Sequence, residues 1–394
     1  MRIAHIITRM IVGGAQENTL LTCEDLLRIH GDEVLLITGP AIGAEGDLLG
    51  QGRGGGVPVH YVPSLRRSVQ PWRDVQSYFA LKRILREFRP DVVHTHSAKG
   101  GVLGRLAAWA VGVPAIIHTV HGAPFYPYQN WLAQTTIRAC ERFAARHCHA
   151  LVSVADAMTD LMVDADVAPR EKFTTVYSGM DVEPFLAADE YRDVTRRALG
   201  YEPRHVVIGK IARLFHLKGH EYVIDAARAV VRECPDVRFL LVGDGLLRDA
   251  LQQTICVAGL GDYFQFTGLV PPSRIPALIG AMDVLVHASL REGLARALPQ
   301  ALIAGKPAVS FDVDGAREVI ISGETGFLIP PKDVAQLATA LIELARDADL
   351  RRRLGARGRE RFADQFRHET MTRQLRAIYE RVLTLKSRTP PADG

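Results

Sequence analysis

Three short groups of residues in this chain have the types and spacing to handle a charged, hydroxyl-rich ligand. The first is His287-Ala288-Ser289-Leu290-Arg291-Glu292-Gly293-Leu294-Ala295-Arg296-Ala297-Leu298-Pro299-Gln300-Ala301, which follows an apolar strand pattern and runs into a helical one. The pattern places Glu292 in the connecting loop and the amides of Gly293, Leu294 and Ala295 at a helix start, where N–H groups lack intrahelical partners. A carboxylate beside such amides suits sugar hydroxyls on one side and phosphate on the other. An ordinary capping acid is the simpler reading of Glu292, and Gln300 is expected about two turns into the helix. The second group is Arg213 and Lys218 in Gly209-Lys210-Ile211-Ala212-Arg213-Leu214-Phe215-His216-Leu217-Lys218-Gly219. A strand ending at Arg213 and a helix beginning near Gly219 put both cations at the carboxyl edge of a sheet, where a planar fork and a point charge could neutralise a diphosphate. A surface pair bound to helix acids is the plainer alternative. The third is Gly13-Gly14-Ala15-Gln16-Glu17 after the first strand, where adjacent glycines and a helix N-terminus suit phosphate. It lacks the GxGxxG spacing of dinucleotide enzymes. Gly243-Asp244-Gly245 reads more simply as a tight strand-to-helix turn.

Behind these groups, short β-branched runs alternate with amphipathic stretches. Strands are expected at 2–7, 33–37, 57–62, 91–95, 113–119 and 150–154, and again at 205–211, 237–242, 263–267, 283–287, 307–310 and 326–329. Over 219–233, Val223, Ile224, Ala227, Val230 and Val231 form one apolar helical stripe. Strand and helix in alternation imply parallel sheets covered on both faces. The rhythm pauses at 183–202, which reads as a linker between a first domain, 1–182, and a second, 203–366. A basic helical tail follows from 350 to 386. Two such α/β domains facing each other would share a cleft at the carboxyl ends of their strands.

Taken in order, these features resemble the retaining nucleotide-sugar glycosyltransferases of GT-B architecture and family four, of the bacterial exopolysaccharide, capsule and lipopolysaccharide type. The resemblance extends through Asp91-Val92-Val93-His94-Thr95-His96-Ser97-Ala98-Lys99, His118-Thr119-Val120-His121-Gly122 and Glu324-Thr325-Gly326-Phe327-Leu328-Ile329. It implies an α/β fold of two doubly wound Rossmann-like domains across a cleft: an acceptor-binding N-terminal domain, a donor-binding C-terminal one, and a last helix, 367–394, crossing back to the first. It implies that Arg213 and Lys218 hold the donor diphosphate, that Glu292 contacts the transferred sugar, and that His121 reaches the sugar near its reacting carbon. Gly13, Gly14, Gly293, Leu294, Ala295 and Gln300 complete the expected donor contacts. Gln300 stands where the family's Glu-x7-Glu signature has its second acid, and Asp314 where a glycine is usual.

The resemblance implies transfer of a hexose or N-acetylhexosamine from a nucleoside-diphosphate sugar, a UDP-sugar favoured, to a glycan or lipid-linked acceptor. No cofactor or metal is expected. Asp312 with Asp314, and His94, His96, His118 and His121 together, are the arrangements that would contradict this by holding magnesium or zinc. A sugar-nucleotide epimerase and a non-catalytic sugar-nucleotide binder remain alternatives.

Composition limits the remaining classes. At 394 residues, 47% apolar and 23% charged, the chain can bury a core in each of two or three domains. Five scattered cysteines without a CxxC pair argue against a disulfide framework or structural zinc. The opening apolar run meets Arg9, unlike a signal peptide, and the apolar stretch 106–117 is broken by Gly112 and Pro114. The chain is therefore expected to be cytoplasmic. Between 61 and 110, nine Lys or Arg face three Asp or Glu. That excess, including Arg66, Arg67, Arg73, Lys82, Arg83, Arg86 and Arg89, and the apolar-basic segment 131–146 suggest peripheral contact with an anionic membrane face. A solvated helix face is the blander reading. Nucleic acid is not expected, since no recognition motif accompanies the charge.

Overall fold

The computed structural model describes residues 1–43, 46–50, 52, 54–125 and 129–388. The chain divides into two compact units, one made of 1–180 with 367–394 and the other of 181–366.

The first unit contains β1 (Arg2–Arg9), α1 (Gly14–Arg28), β2 (Glu33–Gly39), β3 (Val59–Tyr61), α2 (Pro71–Phe88), β4 (Val92–His96), α3 (Ala98–Ala110), β5 (Ala115–Val120), α4 (Trp131–Ala145), β6 (Ala150–Ser153), α5 (Asp156–Asp164) and β7 (Phe173–Thr175). Its sheet is parallel in the order β3-β2-β1-β4-β5-β6-β7. Strands β4 and β5 are buried throughout, as expected where helices cover both faces. The strand order reverses between β1 and β4, which sets the switch point of this sheet. Helix α3 lies unusually close to it. A Cβ on Gly101 would sit 2.4 Å from the His118 ring, and one on Gly100 would sit 2.8 Å from the Thr8 amide nitrogen, so larger residues would push the helix off the sheet.

The second unit contains α6 (Glu183–Leu186), α7 (Arg192–Ala198), β8 (Val206–Ile211), α8 (His220–Glu233), β9 (Val237–Val242), α9 (Arg248–Val257), β10 (Phe264–Gly268), α10 (Ile275–Ala281), β11 (Val284–His287), α11 (Ala297–Ile303), β12 (Ala308–Phe311), β13 (Gly326–Ile329), α12 (Val334–Arg346) and α13 (Ala348–Phe362). Its parallel sheet runs β10-β9-β8-β11-β12-β13, with the switch point between β8 and β11. The α8 stripe faces the core as its periodicity predicts, with Val223, Ile224, Ala227 and Val230 buried.

The last helix, α14 (His368–Arg388), belongs to the first unit. Met371, Leu375, Ile378, Tyr379 and Val382 form its buried stripe against the core that includes Leu20, Cys23 and Leu26 of α1. Asp25 accepts hydrogen bonds from His368 and Thr372, and Asp32 pairs with Arg376 at 3.1 Å. Residues 389–394 of the expected tail lie outside the described residues. The basic stretch at 350–386 is two helices rather than one, broken between Phe362 and His368.

The linker expected at 183–202 is corrected. That segment holds α6 and α7 and belongs to the second unit. Its attachment is ionic as well as apolar. Arg192 and Arg196 both bind Asp283, at 2.6 and 3.1 Å, and Arg192 also donates to the Gly280 and Met282 carbonyls. Val194 in α7 stays exposed, which explains why no apolar stripe announced the helix.

Candidate functional site

In the second unit, two loops leave the carboxyl edge on either side of the switch point, the position where open α/β sheets bind ligands. The loop after β8 carries Arg213 and Lys218. The loop after β11 carries Glu292. Gly219 brings them together: its φ is +65°, and a Cβ there would lie 1.7 Å from the Ala288 carbonyl oxygen, so only glycine permits this approach. Leu290 then donates to the Leu217 carbonyl at 2.8 Å.

The consequence is a direct ion pair between Lys218 Nζ and Glu292 Oε1, both side chains about four-fifths buried. His287 Nε2 lies 3.5 Å from the same oxygen. Burial alone would raise the Glu292 carboxyl, but His287 and Lys218 outweigh it and hold the group far below the usual carboxylate range. Burial pushes His287 down, with Glu292 opposing. Arg213 is exposed, and its guanidinium stacks 5.0 Å above the Phe215 ring.

A second clamp comes from the loop after β12. Asp314 accepts the Glu292 N–H at 2.6 Å, and the Gly315 N–H donates to the Gly293 carbonyl at 3.0 Å. Asp314 has φ +46°, a conformation glycine adopts without strain. Its carboxylate gives that departure a use, because it fixes the backbone of the catalytic candidate. Asp312 is bound by Arg317 through both oxygens, at 3.0 and 2.9 Å. The two acids are thus committed to different partners, and their arrangement gives no support to the magnesium alternative.

The expected helix start needs correcting. Helix α11 begins at Ala297, so Gly293, Leu294 and Ala295 lie in the loop before it and Gln300 is its fourth residue rather than two turns in. Pro299 and the clamp by Asp314 and Gly315 favour this later start, since the loop amides are drawn towards β12 instead of winding into the helix. Gly243 and Gly245 serve the packing of the neighbouring turn. A Cβ on either would meet the Ala212 or Leu214 carbonyl, at 2.2 and 2.5 Å. Lys210 was missed by the motif reading. It is fully buried on β8, and burial draws it down to about 7 while Glu292 pulls it back up.

In the first unit, Gly13 immediately precedes α1 with extended backbone, and a Cβ there would meet only the flexible Gln16 side chain. His121 follows β5 directly and is half-buried. Its Nε2 lies 3.1 Å from His96 Nδ1, and His96 Nε2 lies 3.0 Å from His5 Nδ1. His94 is bonded at both nitrogens, to Tyr379 Oη at 2.6 Å and Thr119 Oγ1 at 2.7 Å. The four histidines of the zinc alternative are not gathered, because His118 pairs in register with Thr95 and bonds it at 2.9 Å, on the sheet face opposite His94 and His96. His5 and Tyr379 escaped the sequence reading. Only the β1–β4 register, which sets His5 beside His94, reveals the first.

Comparison with known proteins adds to this geometry. Residues 13–179 match the family model described as glycosyl transferase 4-like domain, and residues 192–361 match that of glycosyl transferases group 1. The chain is a family-four-type GT-B glycosyltransferase. Among relatives of this glycosyltransferase is the Escherichia coli UDP-Gal:alpha-D-GlcNAc-diphosphoundecaprenol alpha-1,3-galactosyltransferase, 28% identical over 88% of each chain. Another is the 2-deoxystreptamine glucosyltransferase of Streptomyces kanamyceticus, 29% identical over 76% of this chain and 80% of the relative. In fold, the glycosyltransferase is similar to Anabaena HepE, solved with UDP, at a TM-score of 0.80 and 23% identity over 97% of this chain and 100% of that one.

Proposed function

We propose that this glycosyltransferase moves a hexose or N-acetylhexosamine from a UDP-sugar to a lipid-linked or glycan acceptor, with retention of anomeric configuration. The observation that carries the donor reading is the Lys218–Glu292 pair at the switch-point edge. A buried, ionised carboxylate there can accept sugar hydroxyls, while Lys218 and Arg213 supply positive charge for a diphosphate. The uridine base is favoured by the relatives whose names carry UDP-Gal and UDP.

In the reaction so assigned, the acceptor oxygen attacks the anomeric carbon on the face from which UDP departs. The bond from that carbon to the diphosphate breaks as the new glycosidic bond forms, and the hydroxyl proton passes to a diphosphate oxygen. Arg213 and Lys218 stabilise the leaving charge. Glu292 orients the sugar, and His121 has the role the family resemblance gives it, a contact with the transferred sugar. The two cations supply the charge that a metal would bring, so EDTA is expected to leave the rate unchanged.

For the acceptor, the first unit offers a surface of matching chemistry. Trp72, Val75 and Phe79 recur along the outer face of α2, with Trp72 74% exposed, and Arg83 and Arg86 are exposed on the same helix. Helix α4 exposes Trp131, at 73%, with Leu132 and Phe143, while the buried Arg105–Glu141 pair holds it to α3 at 2.8 Å. Aromatic rings beside cations suit the headgroup region of an anionic bilayer. No helix among the described residues is long and apolar enough to cross one.

Thermal-shift measurements against UDP, GDP, ADP and dTDP test the donor. UDP is expected to stabilise the protein and to lose that effect in Lys218→Ala; no shift with any of the four would refute the reading. The anomeric coupling of the product, read by NMR against that of the donor, decides retention. Replacing the seven arginines and lysines from Arg66 to Arg89 by glutamine should abolish sedimentation with anionic vesicles, and unchanged binding would remove the membrane component.

A further inference from the structure

Lys210 is the charged side chain of β8, and the chemistry assigned above makes no use of it. It is fully buried, and its Nζ has no hydrogen-bond partner among the described residues. In register it stands opposite Leu241 of β9, and it shares a sheet face with Ile208, which packs in one core with Val223, Ile224 and Ala227 of α8. Lys210 therefore lies beneath the start of α8, next to the carboxyl end of its own strand and three residues before Arg213. Nδ1 of His220, the first residue of that helix, is also buried and without a partner among the described residues.

An ammonium in such a place is costly, because burial strips its water and no acceptor replaces it. The positive end of α8 and the nearby Lys218 add to that cost. His220 and His287 bring no negative charge, and burial pushes both below the usual histidine range. Two carboxylates favour the charged form, Glu292 and, on α8, Glu221. Glu221 is exposed and screened by water, and Glu292 is already held in contact by Lys218. The balance draws the amine down to about 7, so Lys210 is mostly uncharged at pH 8.

An anion arriving at this sheet edge changes that balance. Lys218 cannot stay wholly on Glu292 while it serves a diphosphate, so Glu292 loses positive charge as the ligand brings more negative charge beside it. We propose that Lys210 is a proton-linked counter-ion of the donor site: uncharged in the free protein above neutral pH, it takes up one proton when a nucleoside diphosphate binds and balances Glu292 while Lys218 turns to the phosphates. The proton comes from solvent, and the N–H bond is the only one formed. The assignment rests on the donor reading proposed above. Lys210 is then a positioning residue, touching neither sugar nor phosphate and acting through Glu292.

Titration calorimetry of the full chain with UDP, at pH 8 in buffers of different ionisation enthalpy, counts the protons taken up. A phosphate's second ionisation, near 6, is complete there, so ~0.8 of a proton is expected per UDP bound. Linkage should weaken UDP binding about tenfold between pH 7.5 and 9. Lys210→Met and Lys210→Gln should each reduce the uptake to near zero and flatten most of that pH dependence, with donor KM moving more than kcat. Carbon-13 NMR of labelled lysine needs no variant: one Cε signal should titrate near pH 7 in the free protein and above about pH 9 with UDP. UDP binding without proton uptake, the same uptake in a folded Lys210 variant, or no lysine titrating below about pH 9 in the free protein overturns the proposal and leaves the donor reading standing. Absence of UDP binding at every pH refutes the donor reading and this proposal together.

Discussion

At the switch point of the first sheet, β1 and β4 bury His5, His94 and His96 side by side; at that of the second, the loops after β8 and β11 bring Lys218 onto Glu292. Both places confine polar groups away from water, where an isolated charge is costly. The imidazoles meet that cost by giving up charge. Each is neutral and is bonded through at least one ring nitrogen to another ring or to a hydroxyl. The lysine and glutamate keep their charges and meet the cost by pairing. The difference bears on what each can do: neutral rings hold one another in place through hydrogen bonds, while a charged pair can be shared with an anionic ligand without a proton passing between its members.

Lys218→Ala breaks this contrast most strongly. It leaves a buried carboxylate without its ammonium partner, facing His287 and Lys210, and it removes charge from the leaving group. A loss of about 10²–10³ in kcat/KM is expected, as for removal of one preorganised donor from a transition-state charge. Initial rates across donor concentrations measure it. A loss below about threefold would reduce the pair to a surface contact worth under 1 kcal/mol.

How much of this was visible beforehand differs between the two places. The strands around both switch points were legible, because runs such as Val92-Val93 and Ile116-Ile117 are β-branched, short and bounded by turn residues. β7 was not, being only Phe173–Thr175. Arg213, Lys218 and Glu292 could be picked out as chemistry-bearing, yet their pairing across 74 positions depended on the Gly219 turn meeting Ala288. Helix α7 was hidden because arginines binding Asp283, rather than an apolar stripe, hold it. His5 was hidden because a lone histidine in an apolar strand carries no spacing signal; only the register with β4 reveals its neighbour.

A pH titration of stability sharpens the contrast next. A histidine kept neutral by folding is protonated more readily in the unfolded chain, from about pH 6.5 downward. Stability therefore falls as pH drops below 6.5 towards the folded-state value, about 3 for His5, by up to about 1.4 kcal/mol per pH unit for each such group. Glu292 behaves differently. Its carboxyl is depressed by folding, so its contribution is complete above the ordinary carboxylate value of about 4.3 and is lost only below it. Denaturant unfolding between pH 7 and 5 should accordingly show a shallower slope in His5→Phe and an unaltered slope in Glu292→Gln. The reverse result would mean that the imidazoles are not the uncharged partner in this comparison.

Gln300→Glu makes the smallest change and tests how far the charged style of the second sheet extends along α11. The resemblance gives position 300 a carboxylate that bonds ribose hydroxyls, and an amide makes the same contact with roughly half the strength. Restoring the acid should therefore strengthen one hydrogen bond by about 1 kcal/mol, or about fivefold in donor KM, with kcat unchanged because the ribose is remote from the reacting carbon. Steady-state rates with a UDP-sugar measure both constants. A tighter KM would mean that the glutamine sits at the ribose and weakens an otherwise ordinary donor site. An unchanged KM would instead place position 300 away from the ribose, leaving Glu292 as the only acid of that signature engaged with the donor.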